Sequence, residues 1–426
     1  MQKHKTISVV GLGYIGLPTA AVFASRGIKV IGVDVSRHVV DTINSGAIHI
    51  IEPDLDMVVR AAVSQGMLRA SLTPEPAEAF LIAVPTPFLE GENGDLHEPD
   101  LRYIKAASES IASVLKSGDL VILESTSPVG ATELMAEWLA ERRPDLTFPQ
   151  THGEDSDIRI AHCPERVLPG QVLRELVQND RIIGGMTPRC SRHAIELYRT
   201  FVDGDCVVTD ARTAELCKLT ENSFRDVNIA FANELSLLCE RLGVNVWELI
   251  HLANKHPRVN VLQPGPGVGG HCIAVDPWFI VSSAPETARL IHTAREVNDG
   301  KPRWVVKHVF EALEEIVATG VRDEDVVIAC YGLTFKPDID DLRESPALQI
   351  VTAVAERFQG TLKVVEPNIE ILPAVLSNAV HVVEQPVDAH LHVILVGHRG
   401  FRTMPRPNGK VLDFCGAVEN RLKRPS

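Results

Sequence analysis

The sequence has no CxxC pair, no clustered cysteines and no apolar run of about 18 residues, and each absence excludes something. Its eight cysteines, at 163, 190, 206, 217, 239, 272, 330 and 415, are scattered through 426 residues. Neither a disulfide framework nor zinc-ligand spacing is present, so no metal is expected and reduced thiols in a cytoplasm are. Without a long apolar run there is no membrane insertion, and Met1 to Lys5 lead into a strand with no apolar signal region. Positive charge is also scarce. Lys and Arg number 42 against 56 Asp and Glu, a formal charge of −14, which argues against nucleic acid and anionic membranes as partners. An anionic ligand therefore needs a local basic site. What is left, 45% apolar and 23% charged residues, suits a soluble enzyme of two or three domains.

The stretch around which the chain is organised is Gly265-Pro266-Gly267-Val268-Gly269-Gly270-His271-Cys272-Ile273-Ala274-Val275-Asp276-Pro277. Its glycines permit positive φ and close backbone approach to a ligand, and a thiol follows them directly. The segment reads as a binding loop that presents Cys272; a surface loop with a packed, inert thiol is the alternative.

At the other end, Thr6-Ile7-Ser8-Val9-Val10 feeds Gly11-Leu12-Gly13-Tyr14-Ile15-Gly16, a helical stretch, the strand Lys29-Val30-Ile31-Gly32-Val33 and then Asp34. Strand, GxGxxG turn, helix, strand and acid in one unit predict a dinucleotide site. Gly11 makes the turn, Gly13 lets the backbone reach a pyrophosphate and Gly16 packs helix on strand. Asp34 suits a ribose 2′-OH and repels a 2′-phosphate, so NAD is favoured over NADP, with Arg37 leaving NADP open. Strands over 79–84, 120–123, 158–162 and 181–183 continue the alternation, which predicts a parallel doubly wound sheet. Their ends carry Pro85-Thr86-Pro87, Ser125-Thr126-Ser127-Pro128-Val129-Gly130 and Cys163-Pro164-Glu165-Arg166-Val167, at the edge where such sheets bind ligands. The polar segment 91–98 reads as an exposed loop without a function.

Thr209 and Asp210 offer an N-cap for a long helix that runs to Leu242 before Gly243, long enough to bridge domains and to form a dimer surface. On it Lys218, Asn222 and Arg225 share one stripe, either solvated or facing a ligand, while Leu216, Leu219, Phe224 and Phe231 leave little circumference for water. A second helix over 246–254 precedes His256-Pro257-Arg258-Val259-Asn260. Beyond it a helical connection covers 286–319, broken near Asn298-Asp299-Gly300-Lys301-Pro302. The strand-first pattern then returns at 326–333, with strands 362–365 and 392–396 but no GxGxxG. The loop after it, 334–346, places Lys336 and Arg343 beside a helix start at Ser345, which suits an anion or else salt-bridged loop packing.

Together these parts narrow the chemistry. Oxidising an alcohol needs a base and NAD, but an aldehyde has no alkoxide to expel its hydride. Addition of Cys272 to the aldehyde gives a thiohemiacetal that can lose hydride to a second NAD and leave a thioester for water to cleave. A thiol of ordinary pKa near 8.5 gains from a neighbouring ammonium such as Lys218, which could also stabilise the oxyanion. That set of parts suits a four-electron alcohol-to-acid oxidation. A two-electron hydroxyacid dehydrogenase, which would not need Cys272, and a non-catalytic NAD-sensing module are the rival readings.

The glycine turn 11–16, Pro85-Thr86-Pro87, 125–130, Pro164-Glu165-Arg166, Glu215-Leu216-Cys217-Lys218-Leu219-Thr220-Glu221-Asn222, Gly269-Gly270-His271-Cys272, Phe335-Lys336-Pro337 and 340–346 span almost the whole chain. In them the sequence resembles the UDP-glucose/GDP-mannose dehydrogenase family. The resemblance implies two doubly wound α/β Rossmann-like domains joined by a long central helix: an NAD-binding domain at 1–205, a central helical domain with dimer surface and catalytic loop at 206–300, and a nucleotide-sugar (UDP) binding domain at 301–426. Asn222-Ser223-Phe224-Arg225-Asp226, His256-Pro257-Arg258-Val259-Asn260 and 272–277 are most similar to members that act on UDP-N-acetyl-D-mannosamine. The implied reaction is oxidation of the sugar C6 alcohol to the uronic acid with two NAD, for surface polysaccharide of the enterobacterial common antigen type. UDP-N-acetylglucosamine, UDP-glucose and GDP-mannose are the alternative substrates.

The same resemblance implies a role for each matching residue. Cys272 is the nucleophile, Lys218 the acid/base or oxyanion partner, Asn222 and Asp276 assist, and Glu165 acts in thioester hydrolysis. Tyr14, Ile15, Asp34, Thr86, Thr126 and Arg343 touch NAD beside the three glycines. Arg166, Val167, Arg225, His256, Arg258, Gly267, Phe335 and Lys336 hold the nucleotide sugar together with Lys218 and Asn222, some of them across a homodimer interface. Cys415 departs from the pattern, standing where close relatives carry a basic residue, which puts a substrate contact there in doubt.

Overall fold

A computed structural model describes residues 5–89, 97–168, 170–270, 272–383 and 387–418; residues 91–96 of the polar segment and His271 lie outside the described residues. The chain forms two compact units, Met1–Glu221 and Asn222–Ser426.

In the first unit, β1 (Thr6–Val10), β2 (Lys29–Val33), β3 (Leu68–Ser71), β4 (Ala79–Ile82), β5 (Leu120–Leu123), β6 (Arg159–His162), β7 (Arg181–Gly185) and β8 (Cys206–Asp210) form one sheet in the order β3-β2-β1-β4-β5-β6-β7-β8. The central strands are continuous apolar runs because helices cover both faces. Successive residues alternate between two cores: Ile7, Val9, Leu81 and Ile122 pack on one face, Val10, Phe80, Ile82 and Val121 on the other. The helix Gly16–Ser25 lies on the first face, with every residue from Gly16 to Ala24 buried.

The second unit holds β9 (Val327–Tyr331), β10 (Thr361–Val365), β11 (Val380–Val382), β12 (Leu391–Ile394) and β13 (Lys410–Asp413), all parallel in the order β11-β10-β9-β12-β13. The helices Arg289–Ala318 and Pro346–Ala355 pack on it through Val305, Val309, Ile350 and Val354. Ser345 starts the second of these as a cap, its hydroxyl accepting from Leu348 N and donating to Leu333 O.

Three features differ from the sequence reading. The first sheet is parallel only as far as β6, and β7 runs antiparallel to it. Among the described residues the connection between them holds only the short helix Val172–Gln178 and returns the chain at the edge it left, so no crossover reverses it. Second, the break expected at 298–302 is absent: the helix Arg289–Ala318 runs on through Pro302. Arg295, Asn298, Lys301 and Pro302 are all buried along it, and their packing holds both sides of the lost hydrogen bond in register. Third, the long helix Ala211–Leu242, capped by Asp210 on Thr213 N as expected, buries polar residues beside Leu219 and leaves large apolar ones exposed. Lys218 and Asn222 are buried, at 9% and 4% exposed, whereas Phe224 is 70% and Phe231 55% exposed. Leu216 and Arg225 are exposed as well, so Arg225 does not share the burial of the stripe it was read with.

Candidate active site

In the first unit the turn after β1 is sterically specified. Gly11 has φ +90°, and a Cβ there would lie 2.6 Å from Ala83 O; one at Gly16 would lie 1.8 Å from Gly11 O. Gly13 faces open space instead, with nothing within 4 Å of an added Cβ. Two glycines thus close the turn while the third leaves its backbone open to a ligand. Asp34 Oδ2 accepts Leu12 N at 3.0 Å and Oδ1 accepts Ser36 N at 2.9 Å, which fixes the carboxylate at the mouth of this turn. Tyr14 is exposed there and Ile15 half-buried. At the next strand ends the Thr86 hydroxyl is buried without a protein hydrogen-bond partner, and so is that of Ser127; Thr126 between the serines is half-buried. Open glycine backbone, an anchored acid and orphaned hydroxyls on one sheet edge fit a dinucleotide.

Further along that edge, Glu165 is buried and paired with the fully buried Arg181 at 2.8 Å, and it also accepts Arg166 N at 2.7 Å. The Arg181 guanidinium lies 4.9 Å from the Tyr198 ring centre, and Tyr198 donates to Glu124 at 2.6 Å. Burial pushes Glu124 up to about 7 and the Cys163 thiol up to about 12, so that cysteine is inert. Arg166 is itself engaged by Glu221 at 2.6 Å, and Val167 beside it is half-buried.

In the second unit the glycine-thiol loop is pinned at several of its described residues. Asn233, buried on the long helix, accepts Gly265 N at 2.9 Å and donates to Asn298 at 2.8 Å. Gly267 (φ +149°) fits against Pro346 and Pro302, where a Cβ would come within 2.9 Å and 3.2 Å of the two rings. The Phe335 ring covers Gly270 (φ +83°), whose N–H donates to Arg343 O at 3.1 Å. Past the glycines Cys272 is exposed, and its carbonyl accepts Val275 N and Asp276 N at 3.2 and 2.9 Å. Asn222 donates its amide to the buried Asp276 carboxylate, at the first turn of the helix Asp276–Ser283. Arg295 Nη1 reaches Ile273 O at 3.5 Å and pairs with Asp226 at 2.6 Å. The structure thus joins Asn222, Asp276, Gly267, Phe335 and Cys272 around one loop.

The side chains of other expected residues have contacts of their own. His256 and Arg258 are exposed, linked by Arg258 N to His256 Nδ1 at 3.3 Å. Lys336 is half-buried, and Arg343 makes a two-pronged contact with Asp341, its shortest arm 2.6 Å. The Cys415 thiol lies 3.6 Å from Asp413 Oδ1, and burial first, then this carboxylate, raises it well above the usual thiol range.

Family models account for most of the sequence. The NAD binding domain of the UDP-glucose/GDP-mannose dehydrogenase family matches residues 5–202, the central domain 212–300 and the UDP binding domain 329–418. The chain belongs to the UDP-glucose/GDP-mannose dehydrogenase family. Among its relatives is the UDP-N-acetyl-D-mannosamine dehydrogenase of Escherichia coli K12, 64% identical over 95% of this chain and 96% of that protein. The NDP-N-acetyl-D-galactosaminuronic acid dehydrogenase of Ralstonia nicotianae is 65% identical over 94% of this chain and 92% of its own length. The solved UDP-N-acetyl-mannosamine dehydrogenase of Staphylococcus aureus superposes with TM-score 0.84 at 40% identity, covering 97% of this chain and 96% of that one. This family member is an NAD-dependent nucleotide-sugar dehydrogenase, and no helix among its described residues is long and apolar enough to cross a membrane.

Sequence reasoning missed the supports of the site. Arg181 behind Glu165, and Arg295 and Asn298 behind the thiol loop, belong to none of the matching motifs, and Asp226, the last residue of the motif 222–226, was given no role. The spacing of Arg295, Asn298 and Asp299 at i, i+3 and i+4 marks one polar helical face, but nothing in the linear sequence says that this face is buried.

Proposed function

We propose that the dehydrogenase oxidises the C6 alcohol of UDP-N-acetyl-D-mannosamine to the uronate in two steps, as a cytoplasmic enzyme of surface-polysaccharide synthesis of the enterobacterial common antigen type. The observation that carries the reading is the exposed Cys272, presented by a loop fixed at Asn233, Phe335 and Asn222. Bound NAD would supply the acceptor for hydride in each oxidation. Gly11, Gly13, Tyr14, Ile15, Gly16, Asp34, Thr86, Thr126 and Arg343 would hold it. The chain's own groups do the rest. Lys218 moves the alcohol proton and balances the developing oxyanion; Cys272 adds to the aldehyde, and its sulfur carries the acyl group as a thioester. Asn222 fixes Asp276, which holds the backbone of Cys272, and Glu165 directs the water that releases the acid. Arg166, Val167, Arg225, His256, Arg258, Gly267, Phe335 and Lys336 bind the nucleotide sugar. The division into an NAD part (1–205), a central part (206–300) and a UDP part (301–426) is supported by the three family models.

Relatives of equal identity bear galacto and manno names, so the sugar is tested directly. NADH formed per sugar consumed is measured with UDP-N-acetylmannosamine and with UDP-N-acetylgalactosamine. Two NADH per molecule, with kcat/KM at least about tenfold higher for the manno substrate, is expected. Preference for the galacto substrate overturns the sugar and keeps the reaction; one NADH per sugar overturns the reaction.

We also propose a homodimer. Phe224, Phe231 and Leu238 recur every seven residues on the long helix, with Leu242 four further on, and all four are exposed. That is the spacing of a helix-to-helix seam, and a second copy of the same helix would match it. Sedimentation velocity is expected to give a dimer, and Phe231→Glu to shift it toward monomer; a monomeric wild type refutes the seam.

A further inference from the structure

The second unit repeats a device of the NAD-binding turn. Gly11 N donates to Val33 O and Leu12 N to the Asp34 carboxylate; Gly332 N donates to Val365 O at 2.9 Å and Leu333 N to the Glu366 carboxylate at 2.8 Å. The two glycines have φ +90° and +91°. Ser36 N caps Asp34 just as Asn368 N caps Glu366, at 2.9 Å in both. The acids differ in access. Asp34 is half-buried, whereas Glu366 is fully buried and covered by His398, whose Nε2 lies 3.1 Å from Glu366 Oε2. Glu366 is therefore closed to a ribose.

Its covering histidine has work elsewhere. A carboxylate can only accept, so Nε2 carries the proton and Nδ1 keeps its lone pair. That lone pair accepts Asp338 N at 2.9 Å, and the Asp338 carboxylate accepts Arg399 N at 2.9 Å. Asp338 has φ +61°, a conformation that a non-glycine residue holds only when its surroundings fix it. Asp338 stands three residues after Phe335, the ring that covers Gly270 of the thiol loop.

We propose that the buried Glu366–His398 pair is a positioning device for the reaction, clamping residues 335–338 so that Phe335 holds the Cys272 loop in its working shape, while Arg343 is held separately by Asp341. The proposal rests on the reading of Cys272 as the nucleophile of a nucleotide-sugar oxidation.

Two variants test it, His398→Ala and His398→Asn; the asparagine amide oxygen can take the place of Nδ1 and accept Asp338 N. Steady-state KM for each substrate is measured beside the rate of iodoacetamide labelling at Cys272, followed by peptide mass. His398→Ala is expected to raise KM for the nucleotide sugar about tenfold, leave KM for NAD within about twofold, and change Cys272 labelling several-fold. His398→Asn is expected to restore both readouts to near wild type. Unchanged sugar KM and labelling in His398→Ala overturn the clamp. So do equal losses in both KM values, or an asparagine variant no better than alanine, since these mark a general structural role. Labelling reports loop shape without turnover, so a Cys272→Ser enzyme that keeps full activity would sink the nucleophile reading separately.

Discussion

Cys272→Ser is expected to stop the enzyme after its first oxidation. The wild type should form two NADH per nucleotide sugar, and the serine variant at most one, with release of acid lowered by about three orders of magnitude or more, the scale seen when a catalytic nucleophile is removed. The reason lies in the second step. An aldehyde can yield hydride only after a nucleophile has added to its carbon, and a serine hydroxyl is far less ionised near neutral pH than a thiol and leaves an ester slower to hydrolyse than a thioester. The loop geometry should be unaffected, because Asn233, Phe335 and the Asn222–Asp276 contact hold backbone and neighbours rather than the sulfur. Two measurements check this: NADH counted against sugar consumed, and the mass of the product. A serine variant that still makes two NADH and free acid would demote Cys272 to a surface thiol.

Arg295→Met should be the most damaging substitution away from the chemistry. Arg295 is 1% exposed; it pairs with the fully buried Asp226 at 2.6 Å, contacts Asp299 and reaches Ile273 O beside Cys272. Asn298 adds a 2.8 Å hydrogen bond to the same Asp226 carboxylate. Removing the guanidinium leaves Asp226 charged in the interior with Asn298 as its remaining side-chain donor, a cost of about 3–5 kcal/mol for a broken buried pair. Denaturant unfolding should show that loss, and kcat should fall with it because Ile273 loses its anchor. The double variant Arg295→Met/Asp226→Leu should recover much of the stability without recovering kcat, since it removes the orphaned charge and leaves the loop contact missing. A single variant within about 1 kcal/mol of wild type would show that Asp226, whose carboxyl pKa is already raised by burial, takes up a proton or water instead of standing as an unpaired charge.

Much of the arrangement was legible in the chain itself because it rests on local rules. The GxGxxG turn between two β-branched strands needs only the missing Cβ atoms of Gly11 and Gly16 and the acid at Asp34; in the structure both glycines close the turn and Asp34 accepts Leu12 N. The long helix begins at its Asp210 cap and ends before Gly243 (φ +67°) for equally local reasons. The glycine-thiol loop announced itself by composition, and membership of the dehydrogenase family by motifs spread over the whole length.

Where tertiary packing competes with local preference, the sequence reading failed. Pro302 signals a break only in isolation; among buried Arg295, Asn298 and Lys301 the helix continues. The long helix reads as apolar with a polar stripe, but which side faces inward depends on partners remote in sequence. Asp226 and Asn233 turn inward because Arg295 and Asn298 meet them there, and Phe224 and Phe231 are left outside. In the same way Glu366 and Asp34 hold equivalent places after their strands, yet His398, over thirty residues away, closes one of them. The sequence by itself determined which backbone turns, caps and reactive groups this protein has, since each follows from neighbours along the chain. Only the tertiary structure decided which polar groups are buried and paired, because desolvation and its compensation are set by residues that the chain brings together from far apart.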